Sequence, residues 1–127
     1  MHFGEHLMID GYGGDKAKLD DKSLVELCLN ELPTMLGMKK LSKPCIYFAE
    51  GNNLKDPGGW SGFVVIQESH ISLHTFPGRR FLSADVYTCR NGLDDKKVVS
   101  YFKEKFSIKE IEQNLLKRGT KYPSTDF

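Results

Sequence analysis

Three strand-length runs, SGFVVIQE, HISLHTF and FLSADVYTC, follow one another between residues 61 and 89 with very short breaks. A parallel pairing needs a crossover of a dozen or more residues, so breaks this short favour antiparallel neighbours. The pleat then sorts the side chains. In the second run Ile71, Leu73 and Thr75 fall on one side, with His70, Ser72, His74 and Phe76 on the other. In the third, Ser83, Asp85, Tyr87 and Cys89 oppose Leu82, Ala84, Val86 and Thr88. One side of this meander is apolar enough to bury. The other is either a solvated surface or a pair of polar strands facing a common cleft, and spacing alone leaves both readings open.

The flanking sequence supplies the remaining elements. HLMIDGYGG reads as a first strand, with Leu7 and Ile9 alternating against His6, Met8 and Asp10. A helix is predicted from Ser23, with a Ser23 to Glu26 capping box, Leu24, Leu27, Cys28 and Leu32 at helical spacing, and a stop at Gly37. Pro33 inside it predicts a kink or an earlier end. PCIYFAEG reads as a second strand and NNLKDPGGW as a turn. LDDKKVVSYFKEKF predicts another helix, capped by Asp94 or Asp95, with Val98, Tyr101, Phe102 and Phe106 as its apolar stripe. SIKEIEQNLL fits a last strand or a helix equally. This order points to an α+β fold, a two-layer sandwich of one antiparallel sheet with its helices on one face. The opposite face needs water or a partner, and apolar residues left uncovered there make a homodimer the natural solution.

A chain of 127 residues is expected to form a single domain over 1–127, because a second core would leave neither part enough surface to bury. Its 18 basic and 17 acidic residues, a net charge of +1, give no argument for nucleic acid or an anionic membrane as partner. No apolar run approaches the roughly 20 residues that cross a bilayer, and MHFGEHLMIDGYGG lacks the basic start and apolar stretch of a signal peptide. A cytoplasmic location is expected. Cys28, Cys45 and Cys89 match no disulfide framework or zinc knuckle and are expected as reduced thiols.

Taken singly, the candidate residues are ambiguous. Cys89 can serve as nucleophile or acid with His74 or His70 as its base, or simply pack near a strand end. His70, His74 and Asp85 form no recognised ligand motif, so no metal is expected. The glycines of DPGGWSG precede no helix, which argues against a phosphate loop. Arg79 and Arg80 can hold a substrate carboxylate or stand solvated in a loop.

The stretch ESHISLHT followed by ADVYTC closely resembles the prokaryotic pyruvoyl-dependent S-adenosylmethionine decarboxylases, and GEHLMIDGYG is similar to that family's opening. The resemblance covers most of the chain and is most specific between residues 62 and 89. It implies the family's fold and self-cleavage between Glu68 and Ser69, giving chains 1–68 and 69–127, with Ser69 becoming a covalent pyruvoyl group. It assigns proton transfer during processing to His74 and, in the mature enzyme, proton donation to the product carbon to Cys89. The pyruvoyl carbonyl would take the substrate amine as a Schiff base and act as the electron sink. Ser69 and His74 have opposite parity on their strand, so a bend between them would be required to bring them together.

The resemblance also implies a homodimer of processed protomers with sites near the interface, acting on a small molecule in cytoplasmic polyamine and spermidine synthesis. S-adenosylmethionine is the leading substrate. Family members commonly continue HTWPE, where the Glu is thought to hold the ribose hydroxyls, whereas this chain reads HTFPGRR and has Gly78 there. Phe76 keeps the aromatic character, and Arg79 offers only donors. Arginine or ornithine, which need no ribose ligand, are the alternative, with Glu50 or Asp85 as candidate acids for the distal cation. Trp60 and Ser61 are further candidates to line the site. A third possibility is an unprocessed binding or regulatory homologue, although binding alone has no need of Ser69, His74 and Cys89 together.

Overall fold

The computed structural model describes residues 2–52, 54–55 and 57–123. In chain order the elements are β1 (Gly4–Tyr12), α1 (Lys16–Leu19), α2 (Lys22–Met35), β2 (Lys39–Lys40), β3 (Cys45–Glu50), β4 (Gly58–Gln67), β5 (Ser69–Phe76), β6 (Phe81–Thr88), α3 (Asp95–Lys105) and β7 (Glu110–Arg118). Among the described residues seven strands form one sheet in the order β2-β4-β5-β6-β1-β7, with β3 also paired to β4. Every pairing is antiparallel. The β4-β5-β6 meander stands at its centre, as the short breaks require, and the chain is the expected α+β sandwich.

One face of the sheet is dry. Leu7 and Ile9 of β1, Val64 and Ile66 of β4, Ile71 and Leu73 of β5, and Leu82, Ala84 and Val86 of β6 are all buried there. They pack with Val25, Cys28, Leu29 and Leu32 of α2 and with Val98 and Phe102 of α3 in one core cluster. The helices cover this face because their apolar positions recur at three and four residues, which is one stripe of a helix surface.

Several sequence expectations shift. The helix predicted from a Ser23 to Glu26 capping box instead begins at Lys22, capped by Asp21, whose carboxylate accepts from the Leu24 amide at 3.2 Å. A carboxylate two residues upstream of Ser23 already satisfies the first turn. Leu27, placed in the apolar stripe, is 46% exposed, and Val25 and Leu29 take the core positions. Pro33 is buried in the last turn of α2, and the helix runs through it to Met35. Asp94 caps α3 by accepting from Lys97 N. The segment that fitted strand or helix is the strand β7, because it fills the free edge of β1. The short α1 and β2 were not foreseen. The turn expected over NNLKDPGGW takes in positions 53 and 56, which lie outside the described residues.

Among the described residues no helix covers the opposite face. It carries His6, Met8, Asp10, Ser61, Phe63, Val65, His70, Ser72, His74, Ser83, Asp85 and Tyr87, all exposed or half-buried. No helix among the described residues is long and apolar enough to cross a membrane.

Ile71→Ala removes a fully buried branched side chain and is expected to destabilise the fold by about 2–5 kcal/mol. Asp21→Ala, which removes only a helix cap, is expected to cost about 1 kcal/mol. Urea denaturation of the two variants beside the parent checks both values.

Candidate active site

The strand register orders the open face into rows. One row holds His70, Tyr87 and His6, the next Ser72, Asp85 and Met8, and the third Ser61, His74, Ser83 and Asp10. Phe76, Phe81 and Tyr12 form the row at the far end.

Ser69 and Cys89 lie at the same end of the sheet. Glu68 makes the turn between β4 and β5, and Ser69 opens β5 as the register partner of Thr88. Cys89 follows Thr88 directly, so the pairing that holds Ser69 also holds Cys89 beside the Glu68 to Ser69 peptide. Ser69 is half-buried, and its φ of 113° lies where side-chain-bearing residues are rare. Holding such a conformation costs about 1–3 kcal/mol and requires the surrounding ladder to impose it. Gly4 supports the same end of the sheet, since a Cβ there would run into the Thr88 carbonyl and lie 2.9 Å from Cys89 Cα. No alternation pattern flags Gly4, because the reason for it sits on another strand.

His74 does not join them. It is bonded to Ser61 across the β4 pairing, with His74 Nδ1 and Ser61 Oγ 2.9 Å apart. It stands five residues along an uninterrupted strand from Ser69, about 16 Å at the usual strand rise. The bend expected between the two is absent, because β5 stays paired to both β4 and β6 from Ser69 to His74.

Asp85 is engaged at the centre of the face. It accepts from His6 Nε2 at 2.9 Å and from Ser72 Oγ at 3.2 Å. His6 in turn packs against Tyr87, which also meets the edge of His70 and lies under the Arg118 guanidinium. His6 and Ser72 were not singled out in the sequence, although their parity places them on the polar side. Burial holds the Asp10 carboxyl above its ordinary range, with Glu112 and Asp85 adding to the effect. The remaining candidates disperse. Trp60 lies on the helix side, its Nε1 donating to Asp20 O at 3.1 Å, and Glu50 is exposed at the end of β3. Phe76 and Arg79 line a cleft of about 560 Å³ beyond His74, together with Tyr12, Phe81, Leu54, Lys55 and Pro57. His70, His74 and Asp85 stand in three different rows.

Residues 5–119 match the family model described as S-adenosylmethionine decarboxylase. The chain belongs to the S-adenosylmethionine decarboxylase family. An S-adenosylmethionine decarboxylase proenzyme of Clostridium botulinum (strain Langeland) is 33% identical over 116 residues, 91% of this chain and 94% of that one. The proenzyme of Pyrococcus furiosus is 32% identical over 124 residues, covering 98% and 84%. The crystal structure of the adenosylmethionine decarboxylase from Aquifex aeolicus superposes with a TM-score of 0.79 at 27% identity over 98% of both chains. At the level of the family, then, this is an enzyme of the pyruvoyl-dependent decarboxylase kind, built on the S-adenosylmethionine decarboxylase fold.

The cysteines of this family member differ in kind. Burial pushes the Cys28 thiol up to about 11, whereas Cys45 and Cys89 are half-exposed. Brief treatment with iodoacetamide at pH 8, mapped by peptide mass spectrometry, is expected to modify Cys45 and Cys89 at least about tenfold faster than Cys28.

Proposed function

We propose that the chain cuts itself between Glu68 and Ser69, giving chains 1–68 and 69–127, and that the resulting pyruvoyl enzyme decarboxylates S-adenosylmethionine in cytoplasmic polyamine synthesis. The observation that carries this reading is the geometry at Ser69. Its backbone is held at φ 113°, its hydroxyl takes part in no side-chain hydrogen bond among the described residues, and the register sets Cys89 beside it. A free hydroxyl on a strained backbone suits attack on the preceding carbonyl carbon. The Glu68 to Ser69 C–N bond breaks as the ester C–O bond forms. Loss of the Ser69 α-proton then expels the Glu68 carboxylate, and water completes conversion of the serine remnant to pyruvoyl with release of ammonia. The carbonyl so made supplies the electron sink for loss of CO₂ from an α-amino acid. Cys89, half-buried next to it, is the proton donor to the product carbon.

His74 takes part through a second copy. It lies on the same open face as Phe63, Val65, Tyr47 and Leu116, which are 42%, 39%, 63% and 53% exposed. Apolar groups in this density favour burial against a partner. A second copy laid across the face by a two-fold axis between the His70 and Ser72 rows would set its Ser61 and His74 over the Ser69 and Cys89 end of the first. A homodimer then holds two composite sites, which accounts for a processing histidine standing about 16 Å from its serine within one chain.

Gly78 favours a second substrate reading. Without a carboxylate at that position the ribose loses its expected acceptor, so arginine or ornithine is the alternative substrate.

Denaturing intact-mass spectrometry tests the reading. The parent is expected to appear as two fragments divided after Glu68, with a blocked amino end on the second, and Ser69→Ala as one full-length mass. Cys89→Ala is expected to be cleaved yet to lose roughly 10²-fold or more in CO₂ release from S-adenosylmethionine. Assays with arginine and ornithine decide the substrate. A single parental mass that persists through long incubation leaves an unprocessed binding homologue. Phe63→Glu, which sets a charge on the open face, is expected to sediment as a monomer and to process at least about tenfold more slowly.

A further inference from the structure

We infer that the turn at residues 90–93 is a clamp on Cys89, with Arg90 and Glu5 as positioning residues that fix where the thiol stands. This rests on the decarboxylase reading above and deepens it. β6 ends at Thr88, and its pairings with Ser69 and with Glu5 end there too. Cys89 is therefore the first residue beyond the ladder. From 90 to 94 the chain is irregular, until α3 begins at Asp95. Backbone that leaves a ladder has to find its hydrogen-bond partners elsewhere.

Three side chains supply them. Thr88 is fully buried, and its hydroxyl accepts from Arg90 N at 3.1 Å. Glu5, 8% exposed, accepts from Leu93 N at 2.8 Å, a bond strengthened by the charge of the carboxylate. The Arg90 guanidinium crosses to the end of α2, where it donates to Leu36 O at 3.4 Å and to Gly37 O at 2.6 Å. The last carbonyls of a helix have no partner within it, and a cation is favoured there. Gly37 leaves α2 at φ 70°, a conformation open to glycine, and a Cβ on it would lie 3.4 Å from the guanidinium. The turn is thus tied at one end to α2 and at the other to β1. On the remaining side Gly4 lets β1 run close, since its Cβ would come within 2.9 Å of Cys89 Cα.

The clamp acts on the thiol through the backbone. Glu5 shares the buried, helix-covered side with Leu7 and Ile9, whereas Cys89 has the parity of Tyr87 on the open face. In proton donation the S–H bond of Cys89 breaks as the C–H bond of the product forms, and solvent reprotonates the half-exposed thiolate. A donor displaced by about 1 Å loses up to roughly 10²-fold in rate. Ser69, held by the ladder itself, does not depend on the turn.

Iodoacetamide labelling and steady-state kinetics with S-adenosylmethionine, on variants beside the parent, test this. In Arg90→Ala, Cys89 is expected to be alkylated at least about fivefold faster than in the parent, with Cys45 on the same chain unchanged. Self-cleavage is expected to be complete, kcat to fall about tenfold and KM to stay within about twofold. Arg90→Lys, which keeps a cation for the same carbonyls, is expected to recover at least about half of the lost rate. Glu5→Ala is expected to behave as Arg90→Ala does, and Glu5→Gln, whose amide oxygen still accepts from Leu93 N, to keep kcat within about threefold. Arg90 is exposed, so Arg90→Ala carries the test even where Glu5→Ala fails to fold. Lys97→Ala is the control, because Lys97 Nζ donates to Met35 O at 3.2 Å and holds the same helix end from α3. It is expected to keep the parent's kcat and labelling.

Labelling of Cys89 and kcat both within about twofold of the parent in Arg90→Ala overturn the assignment. So does an equal loss in Lys97→Ala, which makes the end of α2 the cause, or a KM that rises as kcat falls, which marks a general loss of structure. Intact mass separates the two ideas. Uncleaved parent whose Cys89 is unmasked by Arg90→Ala sinks the decarboxylase reading and keeps the clamp. Cleaved enzyme with parental labelling and kcat in Arg90→Ala sinks the clamp alone.

Discussion

The hydrogen-bonded ladder joining β4, β5 and β6 is the constraint from which the rest of the molecule follows. A two-residue turn of Gln67 and Glu68 joins the first two strands, and the continuous pairing of β5 with both neighbours imposes an uncommon backbone on Ser69. The same ladder aligns Ser69 with Thr88 and so brings Cys89 to the turn. A slip of one residue in either pairing would move Ile71 and Leu73 out of the core and Ser72 and His74 into it. Burial of the apolar side thus enforces the geometry of the polar side.

The two faces divide the work. The helix-covered face supplies stability through the packing of Leu7, Ile71, Leu82 and Val86 against α2 and α3. On the other face, polar groups are arranged in rows and tied in pairs, His74 with Ser61 and His6 with Asp85. Because β5 is straight, it separates Ser69 from His74 as firmly as it holds each in place. In the proposed dimer that separation becomes useful, since a second copy turned end for end supplies what the first holds out of reach.

Much of this was legible in the chain itself. The alternation between Ser61 and Cys89 identified three strands and both faces, because side-chain direction in a strand depends only on parity. The order of elements implied the sandwich, and the residues around Ser69 carried the family resemblance. Helix boundaries were less legible: Ser23 and Asp21 are both competent caps, and only the packing of Val25 and Leu29 decided which turn came first. The segment ending in β7 was ambiguous because Ile111 and Leu115 suit a helix as well as an edge strand, and the open edge of β1 settled it.

Parity, periodicity and local chemistry are properties of neighbours in sequence, and these determined the strands and the polar face, while the family resemblance of the ESHISLHT and ADVYTC stretches singled out Glu68, Ser69, His74 and Cys89. Distances between residues on different strands depend on register and on which edges pair, which no local pattern encodes. Tertiary structure alone therefore decided that Ser69 lies beside Cys89 but far from His74, that Asp85 is held by His6 and Ser72, and that Trp60 faces the helices. It also decided that Gly78 packs against Pro57 and that Phe76 and Arg79 line one cleft with Tyr12 and Phe81.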